Sequence, residues 1–196
     1  MRVVGGRLKG RNIASPSSRD IRPTADRLRE AVFNTIVHAH GDPLAGGRVL
    51  DLFAGTGALG IEALSRGAVF ALFVDRSLTA GRLIETNLRA SLSCPAAAFA
   101  RLDLAATTNL TPLRAGLDPD LPFDLVFLDP PYRQHLAERL LPLLEPAGLL
   151  APGALVVVEE HARVDLPAQS GLLALVDQRR YGETGLWLYR PRPAGT

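Results

Sequence analysis

The fold of this chain is decided by residues 48–60, which read RVLDLFAGTGALG. The run from Arg48 to Leu52 is short and apolar with a single acid, which is typical of a buried strand. Gly55, Gly57 and Gly60 then form G-x-G-x-x-G at the point where a helix is predicted to begin. Glycines there let the backbone turn tightly and approach a nucleotide-like ligand closely. The stretch therefore predicts the first strand, turn and helix of a Rossmann-like α/β sheet.

The same order of strand, turn and helix repeats along the chain. The predicted strands are Arg48–Leu52, Val69–Val74, Ala96–Leu102, Phe123–Leu128 and Ala154–Val158. The predicted helices between them are Ala58–Arg66, Leu78–Ala90 and Gln134–Leu144. Such alternation predicts a parallel sheet with right-handed crossovers. Two further strand-like runs, 172–181 and 186–189, flank a glycine-containing turn and predict an antiparallel hairpin at the end of the chain.

The part of the chain before residue 48 has a different pattern. Arg2–Val4 and Arg11–Ile13 flank a glycine-rich stretch, which predicts a small β-hairpin. A helix is predicted to follow, with Thr24 as its N-cap and an end near Gly41. We therefore expect a basic hairpin extension over residues 1–20 and the main domain over residues 21–196.

Composition excludes several classes of protein. The chain has 196 residues, 47% of them apolar, and a single cysteine, Cys94, so neither a disulfide framework nor a cysteine-rich zinc site is expected. The four histidines lack metal-ligand spacing, and we expect no metal. The most apolar region, residues 140–158, is interrupted by prolines and a glutamate and is not expected to span a membrane. No apolar signal segment opens the chain, so a cytoplasmic location is expected.

Positive charge is concentrated at the start of the chain. Residues 1–29 contain eight basic and two acidic residues, a local net charge of about +6, whereas the whole chain carries only +2. A basic segment beside a slightly acidic body predicts a polyanionic partner that is bound from one side. A solvated basic arm without a partner fits the charge equally well.

Acidic residues follow the first three predicted strands. Asp51 lies beside the glycine loop, Asp75 follows the second strand and Asp103 the third. A carboxylate at the second position can accept both hydroxyls of a ribose, and one at the third can reach an adenine amine. A dinucleotide such as NAD would place its pyrophosphate on the helix N-terminus. S-adenosylmethionine has no phosphate, and its amino group would suit the carboxylate of Asp51.

The fourth predicted strand ends in Asp129-Pro130-Pro131-Tyr132, which favours S-adenosylmethionine. An exocyclic amine of a nucleobase is a poor nucleophile because its lone pair is delocalised into the ring. The carboxylate of Asp129 and the carbonyl of Pro130 could together orient such an amine, since the two prolines fix the backbone. Tyr132 offers a face on which an extruded base can stack. The tetrapeptide therefore predicts methyl transfer to an amine.

The motifs resemble those of the RsmD family of bacterial 16S ribosomal RNA (guanine-N2)-methyltransferases. The resemblance is carried by residues 22–34 (RPTADRLREAVFN), by the glycine loop at 51–60 and by residues 62–68 (EALSRGA). It implies a class I S-adenosylmethionine-dependent methyltransferase fold, with a seven-stranded, mostly parallel sheet whose last strand is antiparallel. It also implies that residues 22–34 pack beside the cofactor and that the N-terminal hairpin helps to hold RNA.

These patterns and the resemblance together give the predicted site. The predicted catalytic residues are Asp129, Pro130, Pro131 and Tyr132. The predicted contacts of S-adenosyl-L-methionine are Arg22, Thr24, Asp51, Phe53, Ala54, Gly55, Gly57, Asp75 and Asp103. The predicted RNA contacts are Arg2, Arg7, Lys9, Arg11 and Arg27. The substrate implied is a guanine N2 amine in 16S ribosomal RNA, free or in an assembling small subunit, and the enzyme is expected to be a monomer.

Other interpretations remain open at this point. The tetrapeptide would also serve an adenine-N6 methyltransferase acting on DNA or RNA. The glycine loop alone would serve an NAD-dependent oxidoreductase, and the basic start alone an RNA-binding module without catalysis. Glu159-Glu160-His161, which follows the fifth predicted strand, is interpreted as a solvated turn, and His135 as the start of a helix.

Overall fold

The computed structural model describes residues 1–15, 23–91, 96–115, 117–118 and 121–192, with the backbone alone at 23–25 and 91. Its helices are α1 Pro23–Ala39, α2 Ala58–Ser65, α3 Leu78–Ser91 and α4 Leu136–Leu144. Its strands are β1 Arg48–Leu52, β2 Phe70–Asp75, β3 Ala97–Arg101, β4 Phe123–Leu128, β5 Leu150–His161, β6 Gln169–Ser170, β7 Leu173–Tyr181 and β8 Thr184–Pro191. In the described part of the chain, no helix has the length and apolarity needed to cross a membrane.

All eight strands belong to one sheet, in the order β3-β2-β1-β4-β5-β8-β7-β6. The strands β1 to β5 are parallel to one another, whereas β8 is antiparallel to both β5 and β7. The order reverses between β1 and β4, which lie side by side although two strands separate them in the sequence. In open α/β sheets, ligands bind beyond the carboxyl ends of the strands at such a reversal.

The predicted parallel core and antiparallel last strand are confirmed, but the described chain has one strand more than the seven expected. The addition is β6, two residues that pair with Leu173 and Ala174 at the edge of the sheet. A strand that short has no periodicity from which it could be predicted. Thr24 is not the N-cap of α1 as predicted, because the helix already begins at Pro23, a residue whose fixed φ suits the first helical turn.

The sheet is covered on both faces, and alternate residues of each strand point to opposite sides. One buried cluster contains Val49 and Phe127 and packs against α1, α2 and α3. The other contains Leu50 and Val126 and packs against α4. Because both faces are covered, the central strands β1 and β4 are apolar except for Arg48, Asp51 and Asp124 near their ends, and of these Asp51 is buried.

The N-terminal segment, residues 1–15, packs onto the sheet-covering helices. The predicted β-hairpin is reduced to a single bridge between Arg2 and Asn12, closed by a 3-10 turn at Gly6–Leu8. Its apolar side chains Val3, Leu8 and Ile13 are buried in the same cluster as α1 and α2. Hydrogen bonds from the backbone of this segment to side chains of α2 and α3 hold it in place. The division into an extension at 1–20 and a domain at 21–196 stays a prediction.

A buried carboxylate joins this segment to α1 and α2. Glu62 of α2 is fully buried and accepts hydrogen bonds from the backbone N–H of Val4 at 2.8 Å and from Nε of Arg66 at 2.7 Å. Arg29 of α1 lies 3.6 Å from the same carboxylate. Arg29 also donates to Asp26 and to the carbonyl oxygen of Arg2. The three segments therefore share one network of buried charges.

We predict that Glu62→Ala lowers the free energy of unfolding by about 3–5 kcal/mol, because it leaves two guanidinium groups without their buried partner. Denaturant unfolding followed by circular dichroism measures the change. The matched control is Glu85→Ala in α3, since Glu85 also pairs with an arginine four residues later, Arg89, but on the exposed surface. That pair should contribute less than about 1 kcal/mol. Equal losses for the two variants would contradict the importance of burial.

Candidate active site

The glycine loop is built around a buried carboxylate. Asp51 in β1 is only 1% exposed, and its Oδ2 accepts the backbone N–H of Gly60 at 2.9 Å. Gly57, with φ of +77°, is the N-cap of α2. Gly60 is required for packing, because a Cβ there would lie 2.3 Å from the ring of Phe73 in β2. The loop is therefore held tightly between β1, β2 and α2.

The acids predicted at the ends of β2 and β3 reach the same edge. Asp75 accepts the backbone N–H of Gly55 at 3.1 Å, so its carboxylate faces the tip of the glycine loop. Its other oxygen accepts from the backbone N–H of Ser77 at 2.8 Å. Asp103 accepts the backbone N–H of Ala105 at 3.0 Å. Each carboxylate oxygen can accept more than one hydrogen bond, so all can still receive a ligand's donors.

A cavity of about 590 Å³ opens at this edge of the sheet. Its walls include Phe53, Asp75, Asp103, Asp129, Pro130, Pro131, Tyr132 and Glu159. A second hollow of about 250 Å³ adjoins it and is lined by the glycine loop, Asp51, and Leu28 and Arg29 of α1. Phe53, Asp129 and Glu159 line both hollows. The larger volume lies in the range usual for small-molecule and cofactor sites.

Phe53 marks the junction of the two hollows. Its φ of +62° lies in the left-handed region, which is costly for a side chain of this size. The neighbouring residue Ala54 donates its backbone N–H to the carbonyl of Val74 at 3.0 Å, which fixes the turn. Strain of this kind persists where the surrounding structure enforces it, and it clusters at functional sites.

The tetrapeptide after β4 is anchored to the neighbouring strands. The hydroxyl of Tyr132 donates to Oε1 of Glu159 at 2.7 Å and lies 3.1 Å from Oγ1 of Thr184 in β8. Its ring meets the imidazole of His161 edge to face, with the ring centres 6.2 Å apart. Tyr132 is about one-third exposed. The ring therefore has a fixed position at the mouth of the larger cavity.

Glu159 is a site residue that the sequence did not reveal. Residues 159–161 are not the solvated turn that was predicted, because β5 continues to His161 by pairing with residues 184–186 of β8. Glu160 is buried and accepts the backbone N–H groups of Arg133 and His161. Glu159 instead lines the cavity. Nothing in the local pattern separates these two glutamates, since the partner strand comes 25 residues later in the chain.

Burial, with repulsion between neighbouring acids, raises the pKa values of Asp51, Asp129 and Glu159. The pKa of Asp51 is raised to about 7, mainly by burial, although the hydrogen bond from Gly60 lowers it in part. The pKa of Asp129 is raised well above its usual value by burial and by the charges of Glu159, Asp51 and Glu160. Burial also raises the pKa of Glu159. A ligand that brings hydrogen-bond donors or positive charge would relieve this repulsion.

The predicted RNA contacts are all on the surface. Arg2, Lys9 and Arg27 line a shallow hollow of about 330 Å³ together with two acids of α1, Asp26 and Glu30. Arg7 lies in the 3-10 turn, and Arg11 donates to the carbonyl of Ala90 in α3 at 3.1 Å. Met1 and Leu28, the chain neighbours of Arg2 and Arg27, line the smaller hollow of the site.

Two predicted cofactor contacts cannot be placed. Arg22 lies outside the described residues, and only the backbone of Thr24, inside the first turn of α1, is described. Cys94 also lies outside the described residues.

Among the described residues, no group of three or more histidine, cysteine, aspartate or glutamate side chains is arranged to hold a metal ion. His135 caps α4 as predicted and pairs with Glu138 on the surface.

Comparison with known proteins gives one consistent result. The family model described as "Conserved hypothetical protein 95" matches residues 1–190. "Putative rRNA methyltransferase YlbH" of Bacillus subtilis is 37% identical over 98% of this chain and 100% of its own length. "Ribosomal RNA small subunit methyltransferase D" of Escherichia coli is 33% identical over 100% of this chain and 92% of its own. The solved structure of "Putative methyltransferase yhhF from Escherichia coli" is 32% identical, covers 97% of both chains and has a TM-score of 0.75.

The raised pKa of Asp51 predicts how stability depends on pH. The folded protein holds a proton on this carboxyl up to about pH 7, whereas the unfolded chain loses it near its usual value of 3.8. Between pH 4 and pH 7 this carboxyl therefore binds more of a proton in the folded state, and its contribution to the free energy of unfolding falls as the pH rises. Asp51→Asn should remove this contribution and make the slope of the free energy of unfolding against pH less negative by about 1 kcal/mol per pH unit.

Denaturant unfolding of both proteins at pH 5, 6 and 7 measures the two slopes. Asparagine can still accept the N–H of Gly60, so the variant should fold. The control is Asp165→Asn on the exposed surface, which should leave the slope as in the wild type. Identical slopes for wild type and Asp51→Asn would contradict the raised pKa.

Proposed function

The chain belongs to the RsmD family, whose model spans residues 1–190, and we propose that it methylates the N2 amine of a guanine in small-subunit ribosomal RNA with S-adenosylmethionine. The observation that carries the proposal is the shared cavity. The glycine loop, the strand-end acids and residues 129–132 all line connected hollows at one edge of the sheet.

The charge of the site supports S-adenosylmethionine over a dinucleotide. Asp51 and Asp75 offer acceptor oxygens and not the donors that an anionic pyrophosphate needs, whereas they suit a ligand with an ammonium group and hydroxyl donors. An ammonium group beside Asp51 would offset the cost of ionising that buried carboxylate. The proposed contacts remain those predicted, with Asp75 for the ribose and Asp103 for the adenine amine.

The residues after β4 would then orient the acceptor. S-adenosylmethionine, when bound, supplies an electrophilic methyl group on a sulfonium. The carboxylate of Asp129 and the carbonyl of Pro130 accept hydrogen bonds from the amine and direct its lone pair, while Tyr132 provides a surface for the base. Positioning of this kind can contribute roughly 7–11 kcal/mol to a reaction barrier. The proton that the amine loses needs an acceptor, and the raised pKa of Asp129 suits it for that step.

Basic residues near the site support the proposal that the substrate is a large polyanion. Arg2 and Arg27 are the chain neighbours of Met1 and Leu28, which line the smaller hollow, so RNA held by these two arginines would pass close to the site. We expect the enzyme to act as a monomer and in the cytoplasm, where ribosomal RNA is made and assembled.

The direct test is methyl transfer from labelled S-adenosylmethionine to small-subunit ribosomal RNA from cells that lack this enzyme. We expect N2-methylguanosine at a single position, identified by mass spectrometry of nucleosides and mapping of the modified nucleotide. Free RNA and isolated small subunits should be compared in parallel to establish which is the substrate. Label in N6-methyladenosine, label in duplex DNA, or no binding of the donor in calorimetry would contradict the proposal.

Substitutions of Asp129 test its role in that reaction. Asp129→Ala removes the acceptor and should lower kcat by about 10²–10³-fold, the usual effect of deleting one preorganised hydrogen-bond partner. Asp129→Asn keeps an acceptor oxygen and should retain more activity than the alanine variant. Donor affinity, measured by calorimetry, serves as the control and should stay near that of the wild type. Wild-type activity of Asp129→Ala would exclude this residue from the mechanism.

The N-terminal segment gives a second prediction. Arg7→Ala together with Arg11→Ala should weaken RNA binding and reduce the slope of log affinity against log salt by about 1–2, because fewer counterions are released. Filter binding at several salt concentrations measures the slope. Arg192→Ala is the control, since Arg192 is exposed and follows β8, a strand that pairs with β5 and β7 and not with the N-terminal segment. An unchanged slope in the double variant would remove these two residues from the RNA contacts.

A further inference from the structure

Two carboxylates from neighbouring strands face the same cavity. Leu128 and Val158 are register partners in the parallel pair β4 and β5, so the next residues lie side by side, Asp129 just after the end of β4 and Glu159 still within β5. Both line the larger cavity and both line the smaller hollow. Their proximity is also evident electrostatically, because the charge of Glu159 raises the pKa of Asp129. A substrate amine held by one carboxylate would therefore lie close to the other.

The orientation of Glu159 is fixed by the residue proposed to hold the base. The Tyr132 hydroxyl donates to Oε1 of Glu159 at 2.7 Å and also contacts Thr184 of β8. An ionised carboxylate has two oxygens and about four lone-pair positions, so Glu159 can accept a further donor while it holds Tyr132. The tyrosine ring and the glutamate are thus placed as one unit at the mouth of the cavity.

The two bases that carry such an amine differ in what they present beside it. In guanine the N2 amine is next to N1–H, so its edge offers two adjacent kinds of donor. In adenine the N6 amine is next to N1, which is an acceptor. A second carboxylate beside Asp129 would receive a hydrogen bond from guanine, but it would face a lone pair of adenine, and an unpaired buried acceptor is costly.

We propose that Glu159 is a specificity-determining residue that accepts a hydrogen bond from N1–H of the target guanine while Asp129 holds its N2 amine. This inference rests on the proposed function and adds to it the residue that distinguishes guanine from other amino-purines. The Asp-Pro-Pro-Tyr stretch by itself contains no such discrimination, because it addresses only the amine.

The test uses a base analogue that lacks the N1 hydrogen of guanine and carries an amine at C6 in place of the carbonyl oxygen. Once the modified nucleotide is mapped, small-subunit RNA is prepared by ligation with either guanosine or 2,6-diaminopurine riboside at that position. Diaminopurine keeps the 2-amino group, but its N1 is an acceptor instead of a donor. The wild type should prefer guanine by at least about tenfold in kcat/KM, which is the range expected for one lost specific contact to a base.

Glu159→Gln should reduce that preference about tenfold or more, because the amide N–H can donate to N1 of diaminopurine. A role confined to folding would lower kcat/KM for both substrates by the same factor and would leave the ratio unchanged. Such an unchanged ratio would overturn the proposal. If the glutamine variant does not fold, the wild-type ratio still decides, since equal use of guanine and diaminopurine also overturns it.

Tyr132→Phe separates recognition of the base from anchoring of the tyrosine. It removes the hydrogen bond between Tyr132 and Glu159 but keeps the glutamate, so the preference for guanine should persist while both rates fall. If Tyr132→Phe and Glu159→Gln change the ratio equally, Glu159 acts only through the tyrosine, and the proposal is wrong. Glu145→Gln is the matched control, because it also replaces a carboxylate by an amide but lies at the exposed C-terminal end of α4. It should behave as the wild type.

Failure of this inference can be told from failure of the proposed function. Methylation of guanine by the wild type, with a ratio that Glu159→Gln does not alter, removes the role of Glu159 and leaves the function standing. No transfer to guanine from S-adenosylmethionine removes both. Donor binding by Glu159→Gln, measured by calorimetry, should remain within about threefold of the wild type, so that a changed ratio reports on the base.

Discussion

The structure depends on the way in which a parallel sheet brings the ends of its strands together. Five strands, β1 to β5, run in one direction, so their carboxyl ends share one edge. Each supplies a carboxylate at or next to that end: Asp51, Asp75, Asp103, Asp129 and Glu159. These residues are up to 108 positions apart in the sequence, yet the topology concentrates their negative charge around one cavity. These acids determine which ligands the cavity can hold, because they favour ligands that carry hydrogen-bond donors.

Such a concentration of acids is unfavourable unless each is compensated. Backbone N–H groups compensate the first three, through Gly60 for Asp51, Gly55 for Asp75 and Ala105 for Asp103. The hydroxyl of Tyr132 compensates Glu159. Asp129 lies where the charges of three other acids add to the effect of burial, and its pKa is raised well above the usual value. The edge therefore suits a ligand that is rich in hydrogen-bond donors, since such a ligand would relieve the repulsion between the buried acids.

The sequence predicted the elements whose signals are local. β1 and β4 begin and end at the predicted residues, because a short apolar run followed by glycine or proline specifies both ends of a strand. The glycine loop could be recognised because its spacing reflects its own backbone geometry. Glu159 could not be predicted, since β5 continues past Val158 only by pairing with β8. The packing of Val3, Leu8 and Ile13 against the helices could not be predicted either, because three apolar residues at irregular spacing have no periodicity. Non-local contacts explain both omissions.

The buried network around Glu62 links the basic N-terminal segment to the site in a way that the motifs alone do not suggest. Arg29 lines the smaller hollow, pairs with Glu62 and donates to the backbone of Arg2 in the N-terminal segment. Met1 lines the same hollow, and the Oγ1 of Thr56 in the glycine loop lies 4.0 Å from its sulfur. The segment with the basic surface is therefore also a wall of the site. An arm that was merely solvated would not need a fully buried carboxylate to hold it there. Because burying a charge is expensive, its presence argues that the exact position of this segment relative to the cavity matters.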